Sequence, residues 1–186
     1  PEKPEDARLL AIPMKKGVAL NALSDTVKSV AALDRLKVNL LGVPIEVLAY
    51  SDILKSLGAG GYRDEGLAMA KVIDYGDDHF TCFQFHYDWR LDNAQNGKLL
   101  YEFIQEKKAY IEKEYLTRYR INKEVKFDIV AHSMGGLLTR YMLRFGNELL
   151  PEDGTIPAIT WKGAELIDKV VLVGTPNAGS ANGFIK

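Results

Sequence analysis

The chain has 186 residues, of which 47% are hydrophobic and 26% are charged, and its formal net charge at pH 7 is −1. This length is enough for one domain with its own hydrophobic core, and the balanced charge does not favour a nucleic acid or an anionic membrane surface as a partner. No apolar run reaches the length of a membrane span, and residues 1–6 lack the features of a signal peptide. The sequence indicates neither a compartment nor an oligomeric state.

Two helices are predicted in the first third of the chain. The first begins at Ser24 and Asp25, and its apolar face consists of Val27, Val30, Ala31, Leu33 and Leu36. The second opens at Pro44 and ends at the glycine-rich residues 58–61. Its apolar side is formed by Val47, Leu48, Ile53, Leu54 and Leu57.

The middle of the chain predicts a strand followed by a long helix. Residues 80–87 are dense in aromatic side chains and predict a buried strand that ends at Asp88-Trp89-Arg90. A helix then starts near residues 91–93 and reaches Arg120. Cys82 is the single cysteine, and its position inside the apolar strand indicates a buried, unreactive thiol.

The last third alternates strands and a helix. Residues 127–131 and 169–173 predict strands, and residues 135–145 predict a helix that is ended by Gly146. A loop-rich stretch covers residues 148–162. Because the strands are apolar on both faces, the pattern favours an α/β fold with a mostly parallel sheet and helices on both faces.

The segment between the second strand and its helix carries the strongest functional signal. It reads Ala131-His132-Ser133-Met134-Gly135-Gly136, which matches the nucleophile-elbow pattern G-x-S-x-G with alanine at the first glycine. Such a serine stands on a sharp turn that projects its hydroxyl above the sheet, and small neighbours make room for that turn. The helix that follows points its N-terminus at the serine. The Met134 N–H is therefore a candidate oxyanion donor.

A serine nucleophile needs a base, usually a histidine that is oriented by an acid, in the chain order Ser, Asp or Glu, His. The chain has three histidines, and none follows Ser133: His79, His86 and His132. His132 is predicted to pack beside the turn, whereas a base role for His86, at a predicted strand end, would break the usual order. Asp153 and Asp168 follow Ser133, but one lies in a loop and the other precedes its strand, so neither is predicted to be the triad acid.

Three segments together resemble the lecithin:cholesterol acyltransferase-like family of lipases. They are the elbow segment, Tyr87-Asp88-Trp89-Arg90 before the long helix, and Val173-Gly174-Thr175-Pro176-Asn177-Ala178-Gly179-Ser180. The resemblance implies an α/β-hydrolase fold, chemistry on lipid esters, Ser133 as the acylated residue, and no metal or organic cofactor. It also favours a structural role near the site for Gly174, Thr175 and Pro176. For residues 88–90 it favours a structural role, as a buried Arg–Asp pair with the Trp89 indole packed beside it, and a direct role toward the substrate is the alternative. Asn177 and Ser180 are expected to shape the loop beside the site.

The chain also departs from this family. The family's oxyanion loop is expected before residue 45, where no clear version is seen, and its catalytic Asp and His are expected beyond residue 186. Residues 1–186 are therefore interpreted as a single but partial α/β-hydrolase domain, which by itself would have little activity. Two alternatives stay open: a non-catalytic relative that binds lipid or a protein, and a peptidase or thioesterase on the same fold.

Overall fold

The computed structural model describes residues 35–40, 43–48 and 50–179, and the chain divides into two compact units. The first, called the elbow unit, contains Asp88–Ala109 and the described residues from Lys123 onward. The second, called the hairpin unit, contains the described residues up to Tyr87 together with Tyr110–Asn122. The prediction of a single domain is not tested by this division and stays a prediction. The predicted helix start at residues 24–34 lies outside the described residues.

The hairpin unit begins with two antiparallel strands, β1 (Arg35–Leu40) and β2 (Val43–Leu48). The helical predictions were wrong here, because Leu36 lies in β1 and Pro44 in β2. The residues of β2 alternate Val43, Ile45 and Val47, and β-branched side chains at a period of two favour a strand. Helix α1 (Ser51–Ala59) contains only the second half of the predicted helix, and it is ended by Gly60 and the positive φ of Gly61, as the glycines predicted.

The predicted strand at residues 80–87 is also wrong. Among the described residues, the segment forms only one isolated bridge, from Cys82 to Asp64. Its aromatic side chains instead pack on other rings, with Phe80 and Phe83 both contacting Tyr110. An aromatic-rich segment can therefore be anchored by side-chain packing without a strand ladder. The short helix α2 (Glu65–Met69) follows Asp64, whose carboxylate caps it by accepting from the Leu67 N–H at 2.7 Å.

The long helix α3 (Asn93–Tyr119) confirms the prediction, and its residues up to Ala109 belong to the elbow unit. It comes close to helix α4 (Met134–Phe145) at Gly97. A β-carbon built at Gly97 would lie 3.0 Å from Tyr141 Cδ1 and 3.2 Å from the Leu138 carbonyl oxygen. Glycine thus permits a close approach of two helices that a larger residue would force apart.

The elbow unit contains a two-stranded parallel sheet of β3 (Phe127–His132) and β4 (Ile167–Val173). Their register runs from Asp128 opposite Lys169 to His132 opposite Val173. Parallel strands need a crossover, which here consists of α4 and a 3₁₀ turn, Ala164–Leu166. Before that turn, a β-carbon at Gly163 would lie 2.0 Å from the Met142 carbonyl oxygen, so only glycine fits there.

The core of the elbow unit lies where α3, α4 and the sheet meet. Its buried apolar side chains are Ala94, Leu100, Tyr101, Ile104, Ala131, Leu138, Met142, Phe145 and Ile167. The parallel pairing of the second and third predicted strands is confirmed, and the chain is of the α/β class in this part. Helices on both faces of a larger sheet remain a prediction. Within the described residues, no helix is both long enough and apolar enough to cross a membrane.

Candidate active site

The chain reverses sharply at Ser133, between the last residue of β3 and the first residue of α4. Ser133 has φ 52° and ψ −125°, a region that residues with a β-carbon seldom occupy. Its N–H donates to the Val173 carbonyl at 2.8 Å, and its carbonyl accepts from the Gly136 N–H at 3.1 Å. Ser133 is exposed, and its side chain does not cap the helix. The strained backbone therefore presents a side chain that has no structural task in the described chain.

The start of α4 offers hydrogen-bond donors beside this serine. Met134 is the first helical residue, and within the described residues its N–H has no hydrogen-bond partner. The first N–H groups of a helix lack intrahelical acceptors, and the helix dipole adds a partial positive charge at this end. The arrangement can therefore stabilise a negative oxygen that forms next to Ser133.

The segment after β4 lies along α4 and is held to it at successive points. Gly174 has φ 58°, which favours glycine. A β-carbon at Gly136 would lie 2.0 Å from Thr175 Oγ1, so the threonine side chain occupies the space that Gly136 leaves free. One helical turn further, Arg140 Nη1 donates to Asn177 Oδ1 at 2.8 Å. The loop of Gly174, Thr175 and Pro176 thus adjoins the first turns of α4, and Ser180 lies outside the described residues.

Asp88 and Arg90 form the ion pair that the resemblance implied. The Arg90 Nε donates to Asp88 Oδ1 at 2.8 Å, and Nη2 donates to Oδ2 at 2.5 Å, so the contact is bidentate. The side chains of Arg90 and Asp88 are only 6% and 16% exposed. Hydrogen bonds from the Arg90 guanidinium hold the pKa of the Asp88 carboxyl below its ordinary value, against the opposing effect of burial.

The expected packing of the Trp89 indole beside this pair is wrong. Trp89 is 66% exposed, because the chain turns at residues 89–90 and directs the two neighbouring side chains, but not the indole, into the unit. The buried side chain that contacts this segment belongs instead to a residue that sequence reasoning missed. Asn96 on α3 is fully buried, and its Nδ2 donates to the Asp88 carbonyl at 2.8 Å. The sequence signal for Asn96 was weak, since a polar residue early in a helix usually faces water.

The three histidines have different surroundings. His132 is exposed, and a β-carbon at Gly174 would lie 3.8 Å from its Nε2. His86 is exposed and belongs to the hairpin unit, so its base role stays a prediction. His79 is buried in the same unit, with ring contacts to Tyr115 and Tyr119. Burial, followed by the nearby Arg63 guanidinium, lowers the His79 pKa, which is typical of a neutral histidine in a core.

The two aspartates that follow Ser133 are engaged locally. Asp153 Oδ1 accepts from the Thr155 N–H at 2.9 Å and from its hydroxyl at 2.7 Å, and these bonds lower the Asp153 pKa. Asp168 pairs with the adjacent Lys169, which lowers the Asp168 pKa. Both aspartates are exposed. That neither of them is the triad acid stays a prediction.

Cys82 has surroundings that suppress its reactivity. Burial is the larger cause and the Asp64 carboxylate the next, and together they raise the pKa of the thiol to about 12. Because only the thiolate reacts, we expect iodoacetamide at pH 8 to alkylate the folded protein on the order of 100- to 1,000-fold more slowly than the denatured protein. The single cysteine makes the readout clean, as one mass increment reports one site. Equal rates in buffer and in concentrated guanidinium chloride would contradict the structure here.

The contact between Gly136 and Thr175 is the other feature that sequence reasoning did not find. The signal was the second glycine of the Gly135-Gly136 pair, which the elbow pattern does not require. A glycine inside a helix lowers its stability, so a glycine there often marks a close approach. The identity of the approaching residue could not be predicted, because Thr175 is distant in sequence.

Comparisons with known proteins give one match. Among models of protein families, the one described as lecithin:cholesterol acyltransferase matches residues 12–184. No curated protein and no solved structure matches the chain. The matched range covers nearly the whole chain and includes the Ser133 turn, the Asp88–Arg90 pair and the loop after β4.

Proposed function

Because the chain belongs to the lecithin:cholesterol acyltransferase family, we propose that it carries the serine nucleophile of an enzyme that hydrolyses or transfers carboxylic esters of lipids. Family membership supports acyltransferase or esterase chemistry on lipids in general. The choice of Ser133 rests on one observation, which is the exposed position of this residue on a positive-φ turn between a strand and a helix N-terminus. That geometry is what a serine nucleophile of this fold requires.

In the proposed reaction, Ser133 Oγ attacks the ester carbonyl carbon while its proton passes to a base. The Met134 N–H donates a hydrogen bond to the oxyanion that develops on the carbonyl oxygen. The carbon–oxygen bond to the alcohol then breaks, and the alcohol leaves with the proton from the base. Water or a second alcohol then attacks the carbonyl carbon of the acyl-serine and gives its proton to the base. The bond between the acyl carbon and Ser133 Oγ breaks, the base returns the proton to Oγ, and the acid or the new ester leaves.

We assign the base to a histidine outside these 186 residues, because none of the three histidines follows Ser133 in the usual order. The same observation favours a second candidate function. A relative that kept the turn but has no base would bind lipid or a protein partner without turnover.

A fluorophosphonate probe tests the proposal, since it phosphonylates only serines that a neighbouring base activates. We expect the folded full-length protein to be labelled once, with the adduct on the peptide that contains Ser133, and to release fatty acid from phosphatidylcholine vesicles. Protein that has been heat-denatured before the reaction is the control and should remain unlabelled. An unlabelled folded protein that still sediments with the vesicles would contradict the enzymatic proposal and favour the binding module.

A further inference from the structure

Thr175 combines two features that packing of the loop alone does not require: its side chain fills the space above Gly136, and its hydroxyl is buried. We propose that Thr175 is a positioning residue for the Ser133 turn and that it acts through the shape of its side chain. This inference rests on the proposed function, and it assigns a role to a residue that does not touch the substrate.

The contact is unusually close. A β-carbon at Gly136 would lie 2.0 Å from Thr175 Oγ1, 2.7 Å from Cγ2 and 2.8 Å from Cβ, so all three side-chain atoms of the threonine lie against the glycine. Gly136 is buried and belongs to the first turn of α4. Thr175 therefore restricts movement of the turn that bears the Met134 N–H.

The same strand end also holds Ser133. Two residues before Thr175, the Val173 carbonyl accepts from the Ser133 N–H at 2.8 Å. Two residues after it, Asn177 Oδ1 accepts from Arg140. Thr175 is the central one of three attachments, and it lies against the helical turn that follows the serine. The nucleophile and the oxyanion donor are thus held by one continuous segment.

The hydroxyl of Thr175 is not the active part of the side chain. Its oxygen is buried, and it has no hydrogen-bond partner among the described residues. A buried atom cannot reach a substrate, and an unpaired buried hydroxyl costs free energy rather than stabilising the fold. The shape of the threonine, which valine shares, is therefore what positions the turn.

The first test compares Thr175→Ala with Thr175→Val in the full-length protein, using ester turnover as the readout. We expect Thr175→Ala to lower kcat by roughly 10- to 100-fold with little change in KM, because small errors in orientation act on the transition state. Thr175→Val fills the same space and should restore kcat to near the wild-type value. Thr155→Ala, which changes an exposed threonine of the same unit, is the matched control.

Two results would overturn the role of Thr175. Wild-type kcat in Thr175→Ala would show that the contact does not position the turn. An equal loss in Thr175→Ala and Thr175→Val would assign the effect to the hydroxyl instead of the shape. These results differ from failure of the proposed function itself, which would appear as a wild-type protein without labelling or turnover and would overturn both proposals.

A second test measures the contact without activity. Gly136→Ala is expected to lower the urea midpoint strongly in the wild-type background and much less in the Thr175→Ala background, because that background removes the two atoms nearest to the new methyl group. Amide exchange of the peptide that contains Met134 should also be faster in Thr175→Ala than in wild type. If the shifts in urea midpoint are additive and amide exchange of the Met134 peptide is unchanged, Gly136 and Thr175 are not coupled.

Discussion

Ser133→Ala is expected to lower kcat for ester turnover by about 10⁴-fold or more, since loss of the nucleophile leaves only binding and oxyanion stabilisation. Fluorophosphonate labelling of the full-length protein should also disappear in Ser133→Ala. The fold should be preserved, because the Ser133 side chain makes no capping hydrogen bond and alanine keeps the β-carbon. Steady-state kinetics, intact mass after labelling and urea unfolding are measured on the same preparations.

Two further variants test whether the loss of labelling and turnover is specific to the Ser133 hydroxyl. Ser56→Ala, at an exposed serine in α1, should keep full labelling and turnover. Ser133→Gly should be as inactive as Ser133→Ala but should unfold at a higher urea concentration, because glycine adopts φ 52° without strain. Equal labelling of wild type and Ser133→Ala would show that another serine reacts, and the proposed mechanism would then be wrong.

Asp88→Asn is expected to lower the free energy of unfolding by about 3 kcal/mol, because it removes the carboxylate of a bidentate pair with the Arg90 guanidinium, whose side chain is 6% exposed. The bidentate contact cannot be replaced by an amide, which offers one acceptor oxygen and two donors. Urea unfolding at pH 7 measures the loss. If the free energy of unfolding decreases only as much as for an exposed ion pair, another group must stabilise the Arg90 charge.

Asp128→Asn is the matched control for this change. Asp128 lies in the same unit and faces Lys169 at 3.8 Å, but its side chain is 49% exposed. Exposed pairs contribute little, so the expected change is below about 0.5 kcal/mol. The two substitutions remove the same chemical group and differ in burial and in the geometry of the pair.

The pH dependence of the Asp88 contribution has a definite sign. The pKa of Asp88 is lower in the folded protein than its ordinary value of 3.8. A lowered carboxyl pKa means that the stabilisation is fully present above the ordinary value and is lost as the pH falls through the folded value. Wild type and Asp88→Asn should therefore differ by a constant amount from neutral pH down to about pH 4, and the difference should shrink below it.

The elements that were predicted correctly have strong local patterns. Helix α3, strand β3, helix α4 and strand β4 each follow from the spacing of apolar residues within a short window, and Gly146 and Gly60 end their helices as expected. The hairpin of β1 and β2 was missed because a strand is stabilised by a partner that the local sequence does not reveal. Residues 80–87 were assigned to a strand because their aromatic composition is typical of strands, but the same rings can be buried by side-chain contacts alone.

The candidate site also has features that were predicted and one that was not. The pattern around Ser133 located the turn, since a serine between an apolar strand and a Gly-Gly helix start is typical of the nucleophile elbow. The Asp88–Arg90 pair was expected from the family resemblance, and the structure contains it. The exposure of Trp89 was not, because the direction of one side chain in a turn depends on what surrounds it.

The amino-acid sequence by itself determined the family and the position of the Ser133 turn, because strand, serine and helix start are contiguous and their conformation is local. Only the tertiary structure decided what holds that turn in place. The Thr175 side chain lies on Gly136, and the Val173 carbonyl accepts from the Ser133 N–H, because β3 and β4 pair in parallel with His132 opposite Val173. Such a register arises from the cooperative packing of two distant segments, and no local pattern specifies it.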